Sequence, residues 1–197
     1  MSQHVIQLIC PGCGAPVAPN ATKCEFCEQP ILVTSFNSIA KMTAQMVNKY
    51  ANSYSTALKS APDDKLLNMS VAMCYLKLKL YDKALAAFEK AIEHDIDNSE
   101  AYFYLAVCLL KGKKAFLATR AVIDKIEEYI NAANLLEEKG VHHYFWAYIK
   151  YDYFERKFLN TVPSWKECLS TAEQLGVSKY DKSNLFDLLG VQRPQGF

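Results

Sequence analysis

The sequence predicts a mainly α chain. Antiparallel helix pairs recur about every 34 residues behind a short cysteine-bearing module. Three observations predict this. Four cysteines fall in two C-x-x-C pairs, Cys10 with Cys13 and Cys24 with Cys27, separated by ten residues. From Ser35 onward, apolar residues recur at helical spacing with few breakers. Cys74 and Cys108 lie one 34-residue period apart in matching surroundings. The expected organisation is a cysteine module over residues 1–33, a helical repeat domain over 35–190 and a loose tail over 191–197.

The first module is too short to bury a self-sufficient core, so it needs a staple. Two C-x-x-C pairs have the ligand spacing of a closed, tetrahedral four-thiolate zinc site. Two intervening residues let the chain curl until both sulfurs face one ion. Pro11 pre-sets φ for the first curl, and Gly12 and Gly14 ease it. The second curl holds Glu25 and Phe26 and is followed by Glu28.

The run Cys10-Pro-Gly-Cys13-Gly14 resembles the knuckles of the zinc-ribbon family, which often read Cys-Pro-x-Cys-Gly. The resemblance spans roughly residues 5–33, and Glu28 departs from it where ribbons commonly carry Gly. It implies a small β ribbon with a structural Zn2+ on Cys10, Cys13, Cys24 and Cys27. A rubredoxin-type iron and a redox dithiol are the competing readings. A dithiol needs only one pair, and a catalytic zinc would keep an open position with His or carboxylate ligands. His4, the nearby histidine, falls outside the pattern.

The helices follow in order. One long helix is expected from about Ser35 to Ser60, its second half ending near Pro62. The clearest repeat runs from Lys65 to Asn98, with small residues Ala72, Ala84 and Ala91 where two helices approach and Tyr75, Tyr81 and Phe88 between them. The next copy opens with Ala101 to Cys108, loops through Lys111 to Ala115, and continues as a helix from about Thr119 to Lys139, an insertion of about eight residues. A weaker copy starts at Gly140, with an aromatic helix to about Phe158 and a partner from Ser164 to Leu175. A short helix from Ser183 to Leu189 precedes the tail. Cys74, Cys108 and Cys168 read as buried small apolar residues of a reducing compartment.

Residues 35–176 resemble the tetratricopeptide repeat (TPR) family, most specifically over Lys65 to Asn98. The resemblance implies a solenoid of antiparallel helix pairs that binds a protein or peptide and catalyses nothing. In that family the concave face is lined from the first helix of each pair. Here those positions give Leu66, Met69 and Met73, then Phe103 and Val107, then Tyr144, Tyr148 and Tyr151 as candidate partner-binding residues. So apolar a lining marks a groove for an apolar partner segment, or one that the chain covers itself.

Other function classes find less support. The module carries one cation, Lys23, beside Glu25 and Glu28, which argues against phosphate-backbone contact. Nucleic-acid binding through the ribbon and the Lys111–Lys114 loop is the alternative function. Adjacent His142 and His143 make a poor metal pair, and Glu127 and Glu128 read as solvated helix surface. No glycine-rich phosphate loop, nucleophile elbow or helical zinc-protease motif occurs. A net charge of +1 gives no strong field toward nucleic acid or lipid. No apolar run reaches the roughly 18–20 residues of a membrane span, and the first ten residues do not read as a signal peptide. The expected location is cytoplasmic and the expected role a scaffold or adaptor.

Overall fold

A computed structural model describes residues 9–18, 21–93, 95–195 and 197. His4 and the expected start of the ribbon at residues 5–8 lie outside the described residues. The chain divides into two compact units, one ending at Ile96 and the other beginning at Asp97. The division expected near residue 34 is not where the chain separates, because the cysteine module shares a unit with the helices that follow it. Among the described residues the expected β ribbon is reduced to two isolated antiparallel bridges, Ile9 with Pro16 and Lys23 with Pro30.

The first unit contains α1 (Phe36–Ile39), α2 (Ala44–Ala57), α3 (Lys65–Lys77) and α4 (Tyr81–Glu93). The single helix expected over 35–60 is broken between α1 and α2. The Lys77 ammonium donates to the Ala40 carbonyl at 3.0 Å, and Thr43 Oγ1 accepts from Met46 N to restart the helix. Asp64 caps α3 by accepting from Leu67 N at 2.9 Å. Helix α3 packs between α2 and α4. Ala72, Ala84 and Ala91 are buried, as close approach of two helix backbones requires, and Met73, Cys74 and Phe88 fill the space around them. Fully burying a side chain the size of Met73 or Phe88 contributes about 1.5–3 kcal/mol each.

The second unit contains α5 (Ser99–Leu109), α6 (Arg120–Leu136), α7 (Gly140–Ile149), α8 (Trp165–Gln174) and α9 (Lys179–Leu189). Asn98 caps α5 through Ala101 N, one period after the Asp64 cap. Helix α6 starts 39 residues after α4, so the insertion is about five residues rather than eight, and it holds a short 3-10 turn over Ala115–Leu117. Helices α5 and α6 form one pair, α7 and α8 another, and α9 lies on α7. Gly140 permits the second pairing. A Cβ there would stand 2.8 Å from the Ala172 carbonyl oxygen and 2.9 Å from Val177 N.

Three expectations for this unit are corrected. The aromatic helix expected to reach Phe158 leaves α geometry after Ile149, passing through a π turn over Lys150–Phe154 and a 3-10 turn over Glu155–Lys157. Phe158, at φ 58°, ends it. Helix α9 begins at Lys179 rather than Ser183, because Ser178 and Asp181 cap each other. The tail is not loose: Phe197 is buried, and Arg193 Nε donates to its backbone oxygen at 2.6 Å.

Candidate functional site

The four expected ligands converge. Cys10 Sγ lies 3.6 Å from Cys27 Sγ, Cys13 Sγ lies 3.6 Å from Cys24 Sγ, and all four sulfurs fall within 4.8 Å of one another. Sulfurs bound tetrahedrally at about 2.3 Å from zinc stand about 3.8 Å apart. A disulfide needs about 2.05 Å. The donor set therefore fits one ion held by four thiolates and not two disulfides.

Both knuckles are built alike. Gly14 N donates to Cys10 O and Glu28 N to Cys24 O, each at 2.9 Å. Cys10 N donates to Ala15 O and Cys24 N to Gln29 O, closing the same loop twice. Gly14 and Glu28 take the same left-handed conformation, at φ 80° and φ 59°. The second knuckle thus adopts the first one's geometry without its glycine.

Backbone N–H groups aim at the sulfurs. Those of Cys27 and Phe26 pull the Cys24 thiol down to about 7. At Cys27 the Gln29 N–H also pulls down, but desolvation and the other three sulfurs override it and leave the thiol at about 12. Protons crowd four thiols that a cation would deprotonate together.

The cluster is tied to the helices behind it. Tyr50 OH donates to Pro30 O at 2.9 Å and Tyr54 OH to Ile31 O at 2.8 Å, while Val33 N donates to the buried Ser70 Oγ. A Cβ on Gly12 would stand 3.5 Å from Tyr50 OH and 3.6 Å from Cys27 Sγ. Burial first, then Cys10 and Cys27, push the Tyr50 hydroxyl up, so it stays a proton donor.

The candidate partner-binding residues divide by exposure. Met69, Met73, Phe103, Val107, Tyr144 and Tyr148 are buried, whereas Leu66 is 44% exposed and Tyr151 is half-buried. In the second unit the chain itself covers part of this set. The Phe197 ring lies 5.3 Å from Tyr144, 6.1 Å from Tyr148 and 5.5 Å from Tyr151, and Phe186 lies 5.2 Å from Tyr148.

The other sequence candidates are packing residues. Cys74, Cys108 and Cys168 are buried, and burial pushes Cys74 and Cys168 up to about 12, which keeps both as unreactive thiols. His142 stacks on Phe103 at 4.8 Å and its Nδ1 meets Asn134 Oδ1 at 3.2 Å, while His143 Nε2 meets Glu138.

Two buried charges of the π turn escaped the sequence reading. Lys150 pairs with Glu127 Oε1 and donates to Thr161 Oγ1 at 2.6 Å, so Glu127 is not solvated helix surface. Asp152 accepts from Phe116 N at 2.8 Å and pairs with Arg156. The available signal was a lysine and an aspartate inside an otherwise aromatic run. Among the described residues, no helix is long and apolar enough to cross a membrane.

Known proteins resemble this chain. Two family models described as tetratricopeptide repeat match, over residues 69–98 and 87–119. No zinc-ribbon family matches the cysteine segment. Human tetratricopeptide repeat protein 12 is 30% identical over 141 residues, which is 71% of this chain and 20% of that protein. The chain thus spans about a fifth of that relative's length. The solved structure of MamA MSR-1 C2 is 20% identical, covers 71% of this chain and 72% of its own, and superposes with a TM-score of 0.50. The fold is therefore a tetratricopeptide-like arrangement of helix pairs, and the cysteine cluster stands outside the residues that the family models match.

Proposed function

We propose that this chain is a non-catalytic, cytoplasmic protein-interaction scaffold with a structural zinc site. The observation that carries the reading is the tetratricopeptide match across α3, α4 and α5, in helices whose buried polar groups serve packing rather than chemistry. Zinc on Cys10, Cys13, Cys24 and Cys27 would supply only cross-linking, since four thiolates leave no open position. The partner is a protein or peptide that touches the first helix of the repeats. Leu66 and Tyr151 retain surface for direct contact. Met69 and Met73 in the first unit, and Phe103, Val107, Tyr144 and Tyr148 in the second, are buried and would act through packing.

The test is quantitative affinity capture from the native host with the full chain, its Leu66→Glu variant and its Tyr151→Ser variant. A partner that co-purifies stoichiometrically with the wild type and is lost from a variant with an unchanged melting curve supports the reading. Equal recovery with all three chains removes these residues from the interface.

A further inference from the structure

Three features that are not part of the repeat meet in the second unit: the five-residue insertion, the π turn and the segment after α9. They line a cleft with two chambers. The inner cavity, of about 240 Å³, is walled by Lys114, Tyr148, Asp152, Arg156 and Arg193. The outer one, of about 620 Å³, shares Lys114 and Arg156 and adds Phe116, Leu117 and Val191, with Lys113 at its edge.

The geometry of the floor is fixed. Asp152 Oδ2 accepts from Phe116 N at 2.8 Å and from Tyr148 OH at 3.4 Å, and Oδ1 pairs with Arg156 at 2.5 Å. Tyr148 OH in turn accepts from Ala115 N at 3.3 Å. One carboxylate is therefore fully engaged in holding the insertion and the Arg156 guanidinium in place. Gly190, at φ 67°, turns the chain after α9 so that Arg193 lines the inner wall.

Charge selects the ligand. Lys114, Arg156 and Arg193 line the inner cavity with Asp152 as its one acidic residue, a formal lining charge of +2, and Arg193 keeps its terminal nitrogens beyond the Nε that donates to the Phe197 oxygen. A carboxylate would neutralise half of that. A phosphomonoester carries about −1.5 to −2 at neutral pH and offers three acceptor oxygens to fork-shaped guanidinium donors. The outer chamber is apolar beside the cations, and Leu117 is 68% exposed there. A nucleobase has a poor seat, because the Phe116 ring already lies 4.5 Å from Arg156 and 5.1 Å from Lys157.

We propose that this cleft binds a phosphorylated peptide, the phosphate among Lys114, Arg156 and Arg193 and a flanking apolar side chain against Leu117 and Val191. The choice of a peptide as carrier rests on the protein-interaction reading above, whereas the phosphate seat does not.

Titration calorimetry on the full chain tests it, with five probes: an acetyl-Leu-phosphoserine-Leu-amide peptide, its unphosphorylated form, phenyl phosphate, inorganic phosphate, and phosphatidylcholine vesicles carrying a phosphatidylinositol monophosphate. The phosphopeptide and phenyl phosphate are expected to bind, each more tightly than inorganic phosphate, and the unphosphorylated peptide not at all. Lys114→Ala, at an exposed position, should weaken the phosphopeptide about fivefold and Lys114→Glu should abolish binding, while Leu66→Glu should leave it unchanged. Equal binding of both peptides, indifference to Lys114→Glu, or binding of the vesicles but not the phosphopeptide would overturn the proposal. Because Leu66→Glu reports on partner capture and Lys114→Glu on phosphate, failure of one reading is separable from failure of the other.

Discussion

Two short non-helical segments lie against helices of their own units, and different chemistry holds each. The cysteine segment rests on four sulfurs within 4.8 Å of one another and on three hydrogen bonds with the helices behind it, from Tyr50, Tyr54 and to Ser70. The segment after α9 rests on one ring, Phe197, set among Tyr144, Tyr148, Tyr151, Trp165 and Phe186, and on the hydrogen bond from Arg193. A metal clamp needs little buried area and fails when its thiolates are protonated or its ion is removed. An aromatic plug needs area, tolerates chelators, and fails when the ring is truncated.

Chelation should separate the two most sharply. Structural zinc in small modules contributes on the order of 10 kcal/mol of folding free energy. EDTA, or Cys24→Ser, is expected to remove one equivalent of zinc per chain and to collapse the amide dispersion of the cysteine segment, with helical circular dichroism largely kept. Elemental analysis with a two-dimensional amide spectrum reads both. Full metal retention by Cys24→Ser would break the four-thiolate assignment. Phe197→Ala is the converse experiment. Truncating a buried Phe costs about 3–5 kcal/mol, so the urea midpoint should fall while metal content stays at one equivalent.

Acid should act on both segments, for different reasons. In the second unit the group to watch is His142, which burial, with Lys139 and His143 adding to it and Glu137 opposing, holds down at about 4. An unfolded His titrates near 6.5. The folded form therefore binds fewer protons between those values, so stability is fully present above about 6.5 and is lost as pH falls toward 4. The loss amounts to about 3 kcal/mol. His142→Gln removes this slope, and the difference between the two chains in urea midpoint from pH 7 to pH 4 isolates it from protonation of the thiols. An unchanged slope would show that His142 titrates normally.

Legibility in the sequence follows the same division. Local chemistry could be read: the C-x-x-C spacing brought four cysteines together, and the 34-residue period placed α3, α4 and α5. Where a distant group decides, the pattern gave no sign. At the break between α1 and α2 the Ala40 carbonyl accepts from Lys77, 37 residues away. Tail docking depends on Phe197 meeting rings from α7, α8 and α9. The π turn turns Lys150 and Asp152 toward Glu127 and Phe116, which periodicity alone places on a solvated face. The first-helix positions were read as groove because a repeat register specifies which face a residue occupies and not what later covers it.

The finest comparison lies inside the cysteine cluster. The two knuckles share their hydrogen bonds and their left-handed residue, yet one spends a glycine there and the other a glutamate. An L residue with a Cβ held in the left-handed region costs about 1 kcal/mol relative to Gly. Glu28 is exposed, so replacing it removes the strain with little else changed. Glu28→Gly should therefore slow zinc loss to a chelator and raise the stability of the segment by about 1 kcal/mol. The offsetting term is the added backbone entropy of Gly in the unfolded chain. Gly14→Ala, in open space but at φ 80°, should do the reverse by a similar amount. If the two substitutions move metal release in the same direction, the knuckles are not conformational equivalents, and the glutamate holds its place for a reason other than tolerated strain.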